Sequence, residues 1–423
     1  MQINTSRTLS ELIASLSLAM DMEEGKKLYH SWRIAIIATN MALKRIPERT
    51  TDIFYASLLH DVGCIGLPRH LIHYPTIEEQ KANPIIFAHP LVGAEVVSSM
   101  GLPLATRLIL EHHEWWNGHG YPRGKQGDEI DIGAQIIRAS DTLEFLLNSP
   151  SITDGALLLD NLKKRVKIEY SSKILELLLE VIQKEDVYKS ISDLNKIPNL
   201  FAETKKTISN LNGETEKDII GSILEIFAQF IDTTHPYTIG HSKRVSRYAL
   251  LIAIAMNVPH DEITMIKWGG LLHDIGLLCI SRNISGKTTI MDKREFDEIK
   301  KHPVYTMEIL SGITDMAPLI PIASGHHENF DGSGYPKGLK GEEIPLGARI
   351  MAIANAYDAM TSARPYRDSS DIDKACTEIK NMAGKQFDPK VVNEALPVLR
   401  SMGLLIIHPP ILGHYVKDKW HVM

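Results

Sequence analysis

The spacing of apolar residues along the chain predicts helices almost throughout. Residues 29–46 carry Ile34, Ile37 and Met41 at helical spacing and end before Pro47. Apolar faces at helical spacing recur in residues 51–62, 104–114, 132–141 and 155–185. The alternation of apolar and polar residues that marks a strand is nearly absent. The predicted fold class is therefore all-α.

Two more helices are predicted from local signals. His89 precedes Pro90, which suits a first helical turn, so a helix is expected to begin at His89. Residues 1–20 contain an apolar block interrupted by Glu11, with Arg7 as the only basic residue, which is unlike a secretory signal. We expect this stretch to form a short amphipathic helix packed on the first domain.

The pattern repeats itself in the second half of the chain. Leu58–Gly63 (Leu-Leu-His-Asp-Val-Gly) returns as Leu271–Gly276 (Leu-Leu-His-Asp-Ile-Gly), and a His-Pro pair follows at the same interval, at His89 and at His302. The series continues with His112-His113-Glu114 and Gly120-Tyr121-Pro122 in the first half, and with His326-His327-Glu328 and Gly334-Tyr335-Pro336 in the second. An ordered series repeated with only a one-residue slip in spacing indicates an internal duplication.

The duplication predicts two tandem helical domains. Residues 186–215 between the copies are polar and contain turn signals. We expect a first domain at 1–198, which includes the N-terminal helix, a linker at 199–215, a second domain at 216–403 and a C-terminal tail at 404–423.

Composition excludes several functional classes. The net charge is -6 and the basic residues form no long cluster, so a nucleic-acid duplex is not an expected partner. The longest apolar runs are about eight residues, short of the roughly 18 that cross a bilayer. The three cysteines, Cys64, Cys279 and Cys376, are scattered, which indicates reduced thiols in a cytoplasmic protein.

The repeated polar residues suit a metal centre. Imidazoles and carboxylates bind iron, manganese and zinc, and a two-metal site needs a carboxylate that is shared between the ions. A lone histidine is more often an ordinary core or surface residue, but an ordered set that occurs twice favours ligation. The candidates in the first half are His30, His60, Asp61, His89, His112, His113 and Asp141.

His-Asp followed by His-His-Glu-x-x-x-Gly-x-Gly-Tyr-Pro resembles the HD-GYP family of HD-domain metal-dependent phosphohydrolases, as two tandem copies. The resemblance implies an all-α fold, bound iron or manganese, and hydrolysis of cyclic dinucleotides. Lys26 and Tyr237 stand where three-metal members have a glutamate, so two metals per intact site are expected. In the second copy the resemblance implies the ligands His241, His273, Asp274, His302, His326, His327 and Asn355.

The two copies depart from the family pattern in different ways. Cys64 and Leu277 replace the lysine that usually follows His-Asp-x-Gly. In the second copy Asn355 replaces the aspartate equivalent to Asp141, and Asp358, about one helical turn later, could compensate if the helix shifted. Only the second copy keeps the family's Arg-Pro-Tyr-Arg element, with Arg364 and Arg367 as its arginines.

The expected activity is that of a phosphodiesterase acting on cyclic di-GMP or cyclic GMP-AMP. Two metals would lower the pKa of a shared water so that hydroxide attacks phosphorus, with Asp61 and Asp274 as the bridging catalytic carboxylates. Candidate substrate-binding residues are Arg33, Tyr121, Arg123, Arg244, Tyr335, Lys337, Arg364 and Arg367. We expect the first copy, with its full ligand set, to carry turnover.

Two alternatives stay open at this point. Loss of both lysines is compatible with a non-catalytic scaffold that binds metal or a cyclic dinucleotide. A hydrolase of other nucleotides is the second alternative, although the Gly-Tyr-Pro signature argues against it. A homodimer or a signalling-protein partner is compatible with either.

Overall fold

The computed structural model describes residues 5–23, 29–64, 77–182, 190–208, 216–233, 239–287, 289–362 and 371–407. Within these ranges the chain forms helices and three isolated β-bridges, with no β-strand. The prediction of an all-α fold is confirmed. No helix in the described ranges is both long enough and apolar enough to cross a membrane.

The chain divides into two compact units. One contains Gln2–Thr234 and Gly312–Asp315, and the other includes His235–Ser311 and Met316–Met423. The helices of the first half are Thr5–Glu23, His30–Arg45, Thr50–Leu59, Ile77–Ala82, Pro84–Ser98, Pro103–Glu111, Ile132–Leu147, Gly155–Lys164, Ser172–Ile182 and Ile197–Lys206. Those of the second half are Glu216–Thr233, His241–Ala255, His260–Leu272, Arg282–Ser285, Lys293–Ile299, His302–Ser311, Ile320–Ser324, Leu346–Thr361, Ile372–Asn381 and Pro389–Ile407.

The expected linker contains a helix and the first unit extends beyond it. Pro198 lies in the first turn of the helix Ile197–Lys206, where its missing N–H costs nothing. Phe201 of this helix stacks on Trp32 with ring centroids 4.0 Å apart. The helix Glu216–Thr233, which the repeat assigns to the second domain, packs against Thr5–Glu23 in the first unit. Residues 209–215 and the tail after residue 407 lie outside the described residues.

The core of the first unit forms around the helix His30–Arg45. Its apolar side chains, including Ile34 and Ile37, are buried against the helices Thr50–Leu59 and Ile132–Leu147. The N-terminal helix is tied to this core by Asp21, which accepts hydrogen bonds from Ser31 N at 3.1 Å and Ser31 Oγ at 2.9 Å. Burying these apolar faces is the main driving force for the bundle.

The helix that carries His89 begins earlier than expected. It spans Pro84–Ser98, so the prediction of a start at His89 is wrong in the first copy. Asn83 caps the helix by accepting from Ile85 N and Ile86 N, and Pro84 fills the first helical position. These stronger start signals lie upstream of Pro90. In the second copy the corresponding helix does begin at the histidine, as His302–Ser311.

Candidate metal centres

The predicted ligands of the first copy are brought together from five helices or helix ends. They fall into two groups, in each of which the possible ligand atoms lie within 4.8 Å of one another: His30, His60 and Asp61; and Asp61, His89, His112 and His113. Asp61 belongs to both groups. Asp141, from the helix Ile132–Leu147, lies outside both, with Oδ1 3.9 Å from His30 Nε2.

Asp61 stands at the centre of the imidazoles. Its Oδ1 lies 3.5 Å from His89 Nε2 and 3.7 Å from His112 Nε2. Its Oδ2 lies 3.4 Å from His60 Nε2 and 4.0 Å from His30 Nε2. One oxygen therefore faces each pair of rings, which is the arrangement that a bridging carboxylate requires.

Backbone carbonyls orient three of these rings. Nδ1 of His60 lies 2.8 Å from Ser57 O, Nδ1 of His89 lies 2.6 Å from Ile86 O, and Nδ1 of His112 lies 2.6 Å from Ile109 O. A carbonyl oxygen can only accept, so each Nδ1 carries a proton, and in the neutral form of each ring Nε2 keeps the lone pair. Such partners fix the ring and its tautomer for metal binding.

The buried nitrogens fit a cation. The Nε2 atoms of His89 and His112 face each other at 3.2 Å, a separation that a shared proton or a shared cation would satisfy. Two imidazoles bound to one ion at about 2.1 Å and at right angles would be roughly 3.0 Å apart. Among the described residues, the buried Nε2 atoms of His30 and His113 have no hydrogen-bond partner. These residues therefore fit divalent metal.

The charge states support ligation. Burial opposes the ionised form of Asp61, but the histidines around it hold the pKa of its carboxyl well below the usual value. Burial lowers the pKa of His89 to about 4 and the pKa of His113 well below the usual value. Burial also works against protonation of His60, but Asp61 outweighs it and raises that pKa to about 9. The centre thus offers an ionised carboxylate at Asp61 and a neutral imidazole at His89, as metal binding needs, whereas His60 would release a proton on binding metal.

The second copy repeats this geometry. Asp274 Oδ2 lies 3.3 Å from His273 Nε2 and 3.7 Å from His241 Nε2, and Oδ1 lies 3.3 Å from His302 Nε2 and 3.6 Å from His326 Nε2. The Nε2 atoms of His302 and His326 again face each other at 3.2 Å. The two groups are His241, His273 and Asp274; and His302, His326 and His327. Asn355 lies in the helix Leu346–Thr361 and is half-buried.

Asp358 does not replace the missing ligand. Its Oδ2 lies 2.7 Å from His241 Nδ1, and Arg244 donates to both of its oxygens. In the first copy Glu144 does the same, with Oε2 2.7 Å from His30 Nδ1 and Oε1 accepting from Arg33 at 2.6 Å. The idea that Asp358 compensates for Asn355 is therefore corrected, because this carboxylate positions the first histidine instead.

Sequence reasoning missed Glu144 as a site residue. A carboxylate three positions after Asp141 and after Asn355 was the available signal, since residues three apart share a helix face. The same contacts place Arg33 and Arg244, both predicted to bind substrate, in ion pairs with these carboxylates. Arg33 is buried, whereas the side chain of Arg244 is 37% exposed.

The Gly-Tyr-Pro loops position the second histidine of each pair. Tyr121 stacks on His113 with centroids 4.7 Å apart and planes 9° apart, and Tyr335 stacks on His327 at 4.8 Å. Each loop is anchored by the glutamate that follows the double histidine. Glu114 accepts from Arg123 N and Lys125 N, and Glu328 accepts from Lys337 N and Leu339 N.

The other predicted substrate-binding residues lie in different surroundings. The side chains of Arg123 and Lys337 are exposed beside these loops. Arg364 and Arg367 lie outside the described residues. Cys64, where the family has a lysine, is buried.

Two helical bundles, each closing around a His-Asp pair and a ring of imidazoles, define a metal-binding helical domain present twice. A model of the HD domain matches residues 4–160 and 225–391, and the chain belongs to that family. The match confirms both the resemblance and the duplication.

The chain is also similar to individual phosphodiesterases and to one solved structure. The chain is 26% identical to 3'3'-cGAMP-specific phosphodiesterase 3 of Vibrio cholerae over 90% of this chain and 92% of that protein. It is 36% identical to a cyclic di-GMP phosphodiesterase of Thermotoga maritima, over 45% of this chain and about half (52%) of that protein. A solved structure of a cyclic GMP-AMP specific phosphodiesterase from V. cholerae superposes with a TM-score of 0.65, at 24% identity, covering 93% of this chain and 98% of that one. This likeness shows the fold.

Proposed function

We propose that this protein is a metal-dependent phosphodiesterase that hydrolyses a cyclic dinucleotide, cyclic di-GMP or cyclic GMP-AMP. The observation that carries the proposal is the position of Asp61 and Asp274, each with both oxygens facing buried imidazole nitrogens. The named activity of the V. cholerae relative, which aligns over 90% of the chain, supports the substrate class.

The ligand sets favour iron or manganese. Imidazoles with a shared carboxylate suit borderline divalent ions. When bound, such ions supply Lewis acidity and lower the pKa of a coordinated water. The residues of the chain do the rest: Asp61 and Asp274 link the two ligand groups, and Glu144 and Asp358 hold His30 and His241 in place.

We propose that basic groups at the rim receive the substrate's phosphates. Arg123 and Lys337 are exposed next to Tyr121 and Tyr335, which stack on ligand histidines. Guanidinium and ammonium groups bind phosphate by charge-assisted hydrogen bonds. Arg364 and Arg367 belong to the same proposal on the strength of their sequence position alone. We also propose a cytoplasmic location, since cyclic dinucleotides act there as messengers.

The test is turnover under controlled metal loading. The protein, prepared without oxygen and loaded with Mn²⁺ or Fe²⁺, is incubated with cyclic di-GMP and with 3'3'-cyclic GMP-AMP, and the products are separated by chromatography. We expect a linear dinucleotide or mononucleotides from at least one substrate. A quadruple variant, His60→Ala, Asp61→Ala, His273→Ala and Asp274→Ala, is the control and should be inactive. Metal-loaded protein that leaves both substrates intact would overturn the proposal.

A non-catalytic scaffold is the second candidate. Cys64, which is buried, and Leu277 occupy the positions where the family has a lysine. In the second copy Asn355 stands where the first copy has the carboxylate of Asp141. A scaffold would bind a cyclic dinucleotide in calorimetry and release no product. Hydrolysis of linear nucleotides alone would instead favour the alternative of a general nucleotide phosphohydrolase.

A further inference from the structure

A buried arginine lies inside the first centre. Arg138 Nη1 lies 3.2 Å from Asp141 Oδ2 and 3.4 Å from His113 Nδ1. Its Nε and Nη2 donate to Glu169 Oε2 at 3.0 and 2.9 Å. Only 14% of the side chain is exposed. Arg138 is always charged, and it contacts two predicted ligands: Asp141, which lies near His30, and His113, which belongs to the group with His89 and His112.

Among the described residues of the second copy, no cation takes the position of Arg138, and the nearby Arg349 pairs with Asp388. One turn before Asn355, where the first copy has Arg138, the chain has Ala352. Glu169 is matched by Gln386, because Trp116 N donates to Glu169 O just as Phe330 N donates to Gln386 O. Both charges of the ion pair are thus present in one copy and absent from the other. A buried ion pair needs both partners, which explains why the two positions differ together.

The arginine also changes the proton position on His113. The guanidinium has no acceptor, so it is the donor in its contact with His113 Nδ1. A ring that accepts at Nδ1 cannot be the doubly protonated, charged form. A neutral ring that accepts at Nδ1 carries its proton on Nε2 and has no lone pair there for a metal. His60, His89 and His112 have the opposite arrangement.

Asp141 contacts the same guanidinium through Oδ2, while its Oδ1 lies 3.9 Å from His30 Nε2. Its carboxylate is 3.2 Å from Arg138, and it lies outside both ligand groups although the sequence pattern includes it. The negative charge of Asp141, which would otherwise balance a second divalent ion, is already balanced by the guanidinium of Arg138. Without His113 and Asp141, the candidate ligands of the first copy are His30, His60, His89 and His112 with the single carboxylate of Asp61.

We propose that Arg138 takes the place of one metal ion in the first copy, so that this copy holds a single divalent ion. The two-ion centre is then confined to the second copy, where no guanidinium contacts His327 among the described residues. The inference rests on the metal binding of the proposed function but not on turnover. Its test reads metal content, so it can fail or succeed independently of any hydrolysis.

The experiment exchanges the pair between the copies in the full chain. Arg138→Ala with Glu169→Gln installs the residues of the second copy, and we expect a gain of one Mn²⁺ per chain by elemental analysis and calorimetry. Ala352→Arg with Gln386→Glu should remove one. Electron paramagnetic resonance should show both isolated Mn²⁺ and exchange-coupled pairs in the wild type, and only exchange-coupled pairs in the first variant.

Two control variants separate charge from packing. Arg138→Lys keeps the cation and should leave the ion count unchanged. Arg165→Ala removes the other arginine that pairs with Glu169, at 3.1 Å, and should also leave it unchanged. The proposal is overturned if the folded exchange variant gains no ion, or if Arg165→Ala gains one as well. If the variant Arg138→Ala with Glu169→Gln does not fold, the variant Ala352→Arg with Gln386→Glu provides the test. The same ion count as in the wild type would then contradict the proposal.

Discussion

At the scale of residues, the centres depend on groups that contact ligands without binding metal. Glu144 and Asp358 each accept from Nδ1 of the first histidine at 2.7 Å, which leaves Nε2 as the ligand atom. Each also pairs with an arginine that follows that histidine by three positions. The carboxylate therefore fixes both the tautomer and the orientation of a ligand.

Glu144→Gln tests this positioning role. The amide still offers an oxygen to His30 but loses the charge that stabilises the ring and pairs with Arg33. We expect metal affinity of the first copy to fall by about 10- to 100-fold, as measured by Mn²⁺ calorimetry. Glu180→Gln, which removes an exposed partner of Lys44, is the matched control and should leave affinity unchanged. Equal affinity in both variants would show that Glu144 has only a structural role.

Asn355→Asp restores the missing carboxylate. An anionic oxygen attracts a divalent ion far more strongly than an amide oxygen does, so the second copy should bind metal more tightly. Asp358 is engaged by His241 and Arg244 and does not already supply this charge. Competition with a chelator measures the change, with Asp358→Glu as a variant that should give no gain. Unchanged affinity after Asn355→Asp would mean that another group fills the position.

At the scale of elements, glycine sets how closely the helices of each centre approach. A Cβ at Gly63 would collide with the carbonyl oxygen of His89, and one at Gly276 with that of His302. The His-Asp turn therefore rests directly on the backbone of the helix that supplies the third histidine. A side chain there would separate Asp61 from His89.

Gly63→Ala should damage the fold and the site together. Overpacking of this kind typically costs about 1–3 kcal/mol, and we expect that loss of unfolding free energy in denaturant titrations, with reduced metal content. Gly155→Ala is the control, because a Cβ at Gly155 meets no atom within 4 Å. It should be neutral or stabilising by up to about 1 kcal/mol. Equal stability of the two variants would contradict the close approach.

At the scale of the whole molecule, the candidate metal centres of the two copies differ from the family pattern in different residues. A count of ligands in the sequence favours the first copy, since Asp141 is present there and Asn355 stands in the second. The contacts of Arg138 favour the second copy as the hydrolytic one, because in the first copy the guanidinium contacts two predicted ligands, Asp141 and His113. In the proposed mechanism two bound ions would activate the attacking water, so turnover is expected from the copy that holds both.

Substituting Asp61 and Asp274 one at a time tests whether the first or the second copy is the hydrolytic one. We expect Asp274→Ala to abolish turnover of a cyclic dinucleotide and Asp61→Ala to reduce it only in part. Steady-state rates with Mn²⁺ measure both, and circular dichroism shows whether each variant is folded. The reverse result, with activity lost only in Asp61→Ala, would restore the first copy as the hydrolytic one.

The sequence by itself determined the helices and the duplication, and it named most of the residues that the structure brings together around each His-Asp pair. Helical spacing of apolar residues depends on local geometry, and a repeated series of histidines needs no coordinates to be recognised. It also singled out Asp61 and Asp274, whose oxygens face imidazole nitrogens, because an adjacent His-Asp pair at a helix end recurs in both halves. Local signals misplaced one helix start, where Asn83 and Pro84 outweighed Pro90.

Only the tertiary structure decided which polar groups face one another. Glu144 and Asp358 lie more than a hundred residues from the histidines they hold, and Glu169 approaches Arg138 from a separate loop. Arg138 looks like an ordinary helix arginine in the sequence. Its charge matters because folding places it, largely shielded from water, against Asp141 and His113. The balance of charges in a buried site depends on distances between segments that are remote in sequence, and the order of residues does not specify those distances.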